Sequence, residues 1–157
     1  EFTDLTPPDG VTALEYAAQL RAEAEKYGMT INAYTVGADF LTGHDGDLDR
    51  EVAATCEKVD IAAALGAAVM RHDATQGNGA RGFDRVLPQL ADGCRRVTEY
   101  AAARGIRTCV ENHGTFCQDS DRVERLMLAV DHPNFGWLVD VGNFLSDGRH
   151  RMPFTHT

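Results

Sequence analysis

Two carboxylates stand out by position as much as by type. Glu111 ends the run Ile106–Glu111 (IRTCVE), and Asp140 ends the run FGWLVD at residues 135–140. If both runs are strands of a parallel sheet, both carboxylates lie at strand carboxyl ends, the functional face of α/β sheets and barrels. Hard oxygen donors placed together suit Mg2+ or Mn2+. Each could instead cap a loop or pair with an arginine, but their ending of consecutive strands favours one shared site. His113 follows Glu111 by two, so in extended backbone it faces the same side. It could orient the carboxylate, reach a substrate hydroxyl, or be an exposed loop histidine. His72 ends AAVMRH and is expected at the same end, with Arg71 pointing the other way into a structural ion pair. Asn143 closes Asp-Val-Gly-Asn, as a turn residue or as a ligand contact. The loop Thr75–Gly82 matches neither Walker A nor GxGxxG and reads as a strand-to-helix loop over the site.

The elements that must position these groups follow one alternation. Val11–Tyr27 has apolar residues near helical spacing and is stopped by Gly28. Met29–Val36 is short, apolar and partly β-branched, as a strand requires. A second helix is expected over Asp47–Leu65, ended by Gly66, and a strand over Ala67–His72. A third helix runs from Asp84 to Arg104, with Pro88 in its first turns and Gly105 as its stop. Ile106–Glu111 is the next strand. Ser120 is expected to cap a helix reaching Val130, without a capping box because Glu124 lies four residues on. Phe135–Val141 is the strand after it. Such βαβ repetition implies a parallel sheet, in either a doubly wound sheet or a (β/α) barrel. With Glu1-Phe2-Thr3 as the tail of a strand, about five strands are present against the eight of a full barrel. The pattern reads as cut at both ends, and residues 146–157 carry no period.

Composition narrows the function classes. The chain has 157 residues, about one domain's worth, and is 43% apolar, enough for a real core. Acidic groups number 24 against 15 basic ones, a formal net charge of −9. That balance disfavours bulk nucleic-acid binding, which leans on clustered Lys and Arg, and no nucleic-acid partner is expected. No apolar run approaches the roughly 20 residues that span a bilayer, and no secretory signal opens the chain, so no membrane partner is expected. Cys56, Cys94, Cys109 and Cys117 match no zinc-finger or CxxC spacing. They read as free thiols in a reducing compartment, which points to the cytoplasm.

The run VENHGTF, followed by SDRVERLMLAVDHPNFGWLVDVGNFL, resembles the central stretch of the sugar phosphate isomerase/epimerase superfamily. The resemblance extends from EFTDL to Phe144 and is most specific over residues 106 to 145. It implies an α/β fold, an incomplete (β/α) TIM barrel of the xylose isomerase-like kind over residues 1–145, with an irregular tail over 146–157. Relatives include ketose 3-epimerases, hydroxypyruvate isomerase, inosose dehydratase and endonuclease IV. The Glu-Asn and Asp-x-x-(His/Asn) motifs carry over to Glu111 and Asp140 as ligands of a divalent ion (Mn2+, Mg2+ or Co2+). Glu111 then doubles as catalytic acid/base, and His72, His113 and Asn143 become substrate contacts. The implied activity is isomerisation or epimerisation of a sugar or sugar phosphate by proton transfer α to a carbonyl, through an enediolate. The superfamily's remaining His and Glu ligands fall on later strands; His150 and His156 sit in the patternless tail. Two alternatives stand beside this reading: a non-catalytic truncated barrel or pseudoenzyme, and an endonuclease IV-like metal hydrolase, which Asn143 in place of a histidine disfavours. Open barrel edges and an exposed apolar interior predict a homo-oligomer.

Overall fold

The computed structural model describes residues 1–77, 82–114 and 116–144. The expected tail over 146–157, with His150 and His156, and the centre of the Thr75–Gly82 loop lie outside these residues.

Helix α1 (Ala13–Lys26) starts one residue after Thr12, which forms a capping box with Glu15. Thr12 Oγ1 accepts from the Glu15 amide, and Glu15 Oε2 accepts from the Thr12 amide. These bonds satisfy donors that a helix start otherwise leaves open. Helix α2 (Leu48–Leu65) is capped by Asp47 and ends at Gly66, whose φ of 74° suits a residue without Cβ. Helix α3 (Phe83–Ala102) carries Pro88 in its second turn, where it lacks one backbone donor. Helix α4 (Ser120–Val130) is capped by Asp119, not by the expected Ser120. The Asp119 carboxylate accepts from the Arg122 amide at 2.9 Å, so Ser120 becomes the first helical residue.

The strands are β1 (Phe2–Thr3), β2 (Ala33–Val36), β3 (Val69–His72), β4 (Arg107–Glu111) and β5 (Phe135–Leu138). All pair in parallel, in the spatial order β1-β2-β3-β4-β5. A doubly wound sheet reverses its order at a switch point. Strands added in one direction through right-handed crossovers instead put every helix on the same face. The helices pack in that same sequence, α1 on α2, α2 on α3 and α3 on α4. The fold is therefore an incomplete (β/α) barrel, with five strands among the described residues.

Register sorts the side chains. Tyr34, Met70, Thr108 and Phe135 form one row toward the helices, all buried. Thr108 confirms the direction, since its hydroxyl meets that of Thr98 on α3 at 2.8 Å. The next row, Thr35, Arg71, Cys109 and Gly136, faces the other way, into the barrel lumen. Glu111, two residues beyond Cys109, shares that lumen face. His72, one beyond Arg71, does not.

Candidate active site

Glu111 meets two partners at the carboxyl end of β4. Arg71 donates to its Oε2 through Nε at 2.9 Å and Nη2 at 2.8 Å. Asn143 donates to its Oε1 at 3.0 Å. Arg71 Nη2 also reaches Asp73 Oδ1 at 2.8 Å, and the Arg71 side chain is only 8% exposed. Gln76 Nε2 holds the second Asp73 oxygen at 2.8 Å. His113 Nδ1 lies 3.6 Å from Asp73 Oδ1, with its ring half exposed. So Glu111, Asn143 and His113 gather at one strand-end cluster, whose centre is the Arg71–Asp73 pair.

Asp140 is brought to the same end by a side chain outside the expected set. Asn112 is fully buried and clasps the Asp140 backbone in both directions. Its amide donates to the Asp140 carbonyl at 2.7 Å and its oxygen accepts from the Asp140 amide at 2.7 Å. The β4–β5 register ends at Glu111 and Leu138, so Asn112 adds one more step of pairing beyond it. The Asp140 carboxylate accepts from the Gly142 amide at 2.8 Å, closing the turn that returns Asn143 to Glu111. Asp140 and Glu111 are thus tied to one another through Asn112 and Asn143.

His72 is a correction. It was expected at the site with Arg71 turned away, and the structure exchanges the two. The His72 ring is fully buried beside Phe40 and Phe135, with centroids 5.9 and 6.2 Å away. Its Nδ1 bonds the Asp73 carbonyl oxygen at 2.9 Å, and Nε2 has no hydrogen-bond partner among the described residues. Burial holds its pKa below the ordinary 6.5. The physical reason is alternation: the last residue of a strand is not always the one that faces the lumen. Arg71 does enter ion pairs, as expected, but its partners are Glu111 and Asp73.

The loops around the cluster are cross-braced. Asp39, after β2, accepts from the Thr42 and Leu41 amides and the Thr42 and Thr75 hydroxyls. Burial alone raises its carboxyl pKa, and these donors reverse the shift to below its usual range. Buried Glu51 accepts from the Asp39 amide and contacts His44 Nδ1 at 2.7 Å. The four cysteines are free. Burial pushes the Cys109 thiol up to about 11 and Cys117 to about 12, leaving both inert as nucleophiles.

Does the donor set fit a metal? Glu111 and Asp140 supply the hard oxygens that a divalent cation takes. Among the described residues no group of three or more His, Cys, Asp or Glu side chains could hold an ion. The fit is therefore one of donor type, with two carboxylates contributed here. Sequence reasoning missed Asp73 and Gln76, gave Arg71 only an unspecified structural ion pair, and met Asn112 only as the second residue of the Glu-Asn motif. Which way Arg71 faces is set by register with the neighbouring strands, and the residue that Asn112 clasps lies 28 positions away.

Parallel strands in sequential order, with a polar cluster at their carboxyl ends, define the (β/α)-barrel class, whose functional residues lie at that end. The model of the xylose isomerase-like TIM barrel matches residues 2–154, and the chain belongs to that family. No curated protein matches the sequence. Among solved structures it is similar to L-ribulose 3-epimerase, at 16% identity and a TM-score of 0.77, over 94% of this chain and 52% of the other. It is similar to D-psicose 3-epimerase from Clostridium cellulolyticum H10, solved with D-tagatose, at 15% identity and a TM-score of 0.71, over 90% and 53%. A third likeness is the probable 3-DHS dehydratase of petrobactin synthesis from Bacillus anthracis, at 17% identity and a TM-score of 0.70, over 85% and 48%. At these identities the likeness is one of fold, and the chain spans about half the length of each relative. Among the described residues no helix is long and apolar enough to cross a membrane.

Proposed function

We propose that this chain carries the metal-binding strand ends of a divalent-metal-dependent isomerase or epimerase acting on a sugar or sugar phosphate. The carrying observation is the convergence of Glu111 with the Asp140–Asn143 turn at adjacent strand ends, fixed by Asn112 and Asn143. That two solved barrels of like fold are ketose 3-epimerases supports it.

Glu111 and Asp140 would hold the ion, which when bound polarises a substrate carbonyl and its neighbouring hydroxyl. The chain's own residues do the rest. Asn143 orients the Glu111 carboxylate, which is placed to take a proton from the carbon α to a carbonyl. His113, half exposed beside Asp73, and Asn143 offer hydrogen bonds to substrate hydroxyls. His72 is sealed in the core, and this reading gives it a packing role. The same proton abstraction opens a dehydration when the neighbouring carbon carries a leaving hydroxyl, so the dehydratase likeness concerns the second step rather than the first.

The test is calorimetric titration with Mn2+ at pH 7. Wild type is expected to bind weakly, and Glu111→Gln or Asp140→Asn to lose at least about tenfold in affinity. Affinity should also fall on acidification, because the carboxylates must be ionised to ligate. A double variant that binds as well as the parent overturns the assignment.

The free, high-pKa thiols suit a reducing compartment such as the cytoplasm. The β5 end exposes Leu138, Val139 and Val141, and α4 exposes Leu128. We read this flank as one that associates with a second copy. Sedimentation at micromolar concentration should show a dimer or larger species; a well-folded monomer counts against it.

A further inference from the structure

We propose that Arg71 is a built-in counter-cation of the strand-end site, and that a divalent ion binds Glu111 by displacing it. This rests on the reading that Glu111 and Asp140 hold the metal.

Three observations carry it. First, Arg71 is buried, and its hydrogen-bond partners among the described residues are two carboxylates, Asp73 and Glu111. A buried guanidinium persists only when so paired. Second, both Arg71 nitrogens that reach Glu111 land on the same oxygen, Oε2, while Asn143 donates to Oε1. An ion ligated by Glu111 would have to share that carboxylate with a positive charge held about 3 Å away, in a site little exposed to screening. The two cations therefore compete.

Third, Arg71 has somewhere to go. Its Nη2 already binds Asp73 Oδ1, and Gln76 fixes the other Asp73 oxygen. Moving wholly onto Asp73 lets Arg71 release Glu111 without becoming an unpaired buried charge. Charge balance agrees. Asp73, Glu111 and Asp140 against Arg71 leave two negative charges, which one divalent ion neutralises. Before the metal arrives, the guanidinium keeps the carboxylates from repelling one another; afterwards the metal does so.

A merely structural arginine predicts the opposite sign for one variant, which makes the test sharp. Mn2+ affinity is measured by calorimetry on the full chain, at constant ionic strength. Arg71→Met removes the competitor, and the affinity should rise about tenfold. Asp73→Asn removes the alternative partner, commits Arg71 to Glu111, and should lower the affinity about tenfold. If Arg71 only orients Glu111 for the metal, Arg71→Met weakens binding; that result, or a change within twofold, overturns the proposal. Circular dichroism establishes that each variant is folded. Should Arg71→Met fail to fold, Arg71→Lys keeps the charge but loses the forked contact. It should then bind Mn2+ tighter than wild type, and Asp73→Asn weaker; either variant moving the other way overturns the exchange. Glu111→Gln in the same series separates the two ideas. If it binds like wild type, the metal assignment itself has failed. If it loses binding while Arg71→Met does not gain, the exchange alone has failed.

Discussion

Asn112→Ala is expected to lower folding stability by about 2–5 kcal/mol and Mn2+ affinity by about tenfold or more. Asn112 is fully buried and makes two 2.7 Å bonds to one residue's backbone. Alanine leaves both the Asp140 amide and carbonyl without those partners, and each such orphan costs about 1–3 kcal/mol. The volume lost to the smaller side chain adds a packing term of the same sign. The effect on metal follows from geometry. Past Glu111 and Leu138 the two strands share no further register pair, so Asn112 is what holds Asp140 beside β4. Freed of it, the Asp140–Asn143 turn loses its anchor, and Glu111 loses the fixed position of Asn143 as well. Urea denaturation and Mn2+ calorimetry on the same preparations check this. A stability change below about 1 kcal/mol with unaltered affinity would show that Asn112 is not the clamp.

How much of this was legible in the sequence depends on whether the deciding interaction is local. Strand-helix alternation was readable because periodicity and glycine stops are local, and the helix ended by Gly66 appears where expected. Boundaries moved where two residues compete for one role. Asp119 and Ser120 are both good caps, and the carboxylate took the Arg122 amide. The Thr12–Glu15 capping box was in plain view as Thr-x-x-Glu, hidden only by starting that helix at Val11. Barrel rather than doubly wound sheet was not decidable from one chain's alternation, since both have it; the order of strand pairing decides.

The candidate site shows the same division. Glu111 and Asp140 were singled out because a carboxylate at an expected strand end is a local signal, although β5 stops two residues before Asp140. His113 and Asn143 followed from short spacings to them, and both reach the cluster. The exchange of His72 and Arg71 has a different origin. Which parity of a strand faces the lumen is set by register with its neighbours, here Arg71 against Cys109 and Thr35. A one-residue shift in that inference turns every side chain over. Asp73 lies one residue past the strand end, where alternation gives no guidance, yet it holds Arg71, Gln76 and, more distantly, His113.

His72 itself should make the fold acid-sensitive in a way that one substitution removes. Its ring is completely buried, and desolvation pulls its pKa below the ordinary 6.5; the Asp73 carbonyl and carboxylate oppose that shift and Arg71 adds to it. The folded chain therefore keeps the imidazole neutral at a pH where the unfolded chain protonates it. Between the lowered folded value and 6.5 the unfolded state binds more protons, so stability falls as the pH falls. Above about 6.5 this contribution is fully present. Across the window one proton contributes a slope of at most about 1.4 kcal/mol per pH unit. His72→Phe keeps an aromatic ring between Phe40 and Phe135 and removes the titrating group. It also removes Nε2, the buried atom that lacks a partner among the described residues. Titrating groups that do not touch His72 are common to both proteins. Urea midpoints taken from pH 8 to pH 5 should decline below about 6.5 more steeply for wild type than for His72→Phe. Parallel curves would mean that the buried imidazole already accommodates a proton, through a partner at Nε2 or by opening of the core around Phe40.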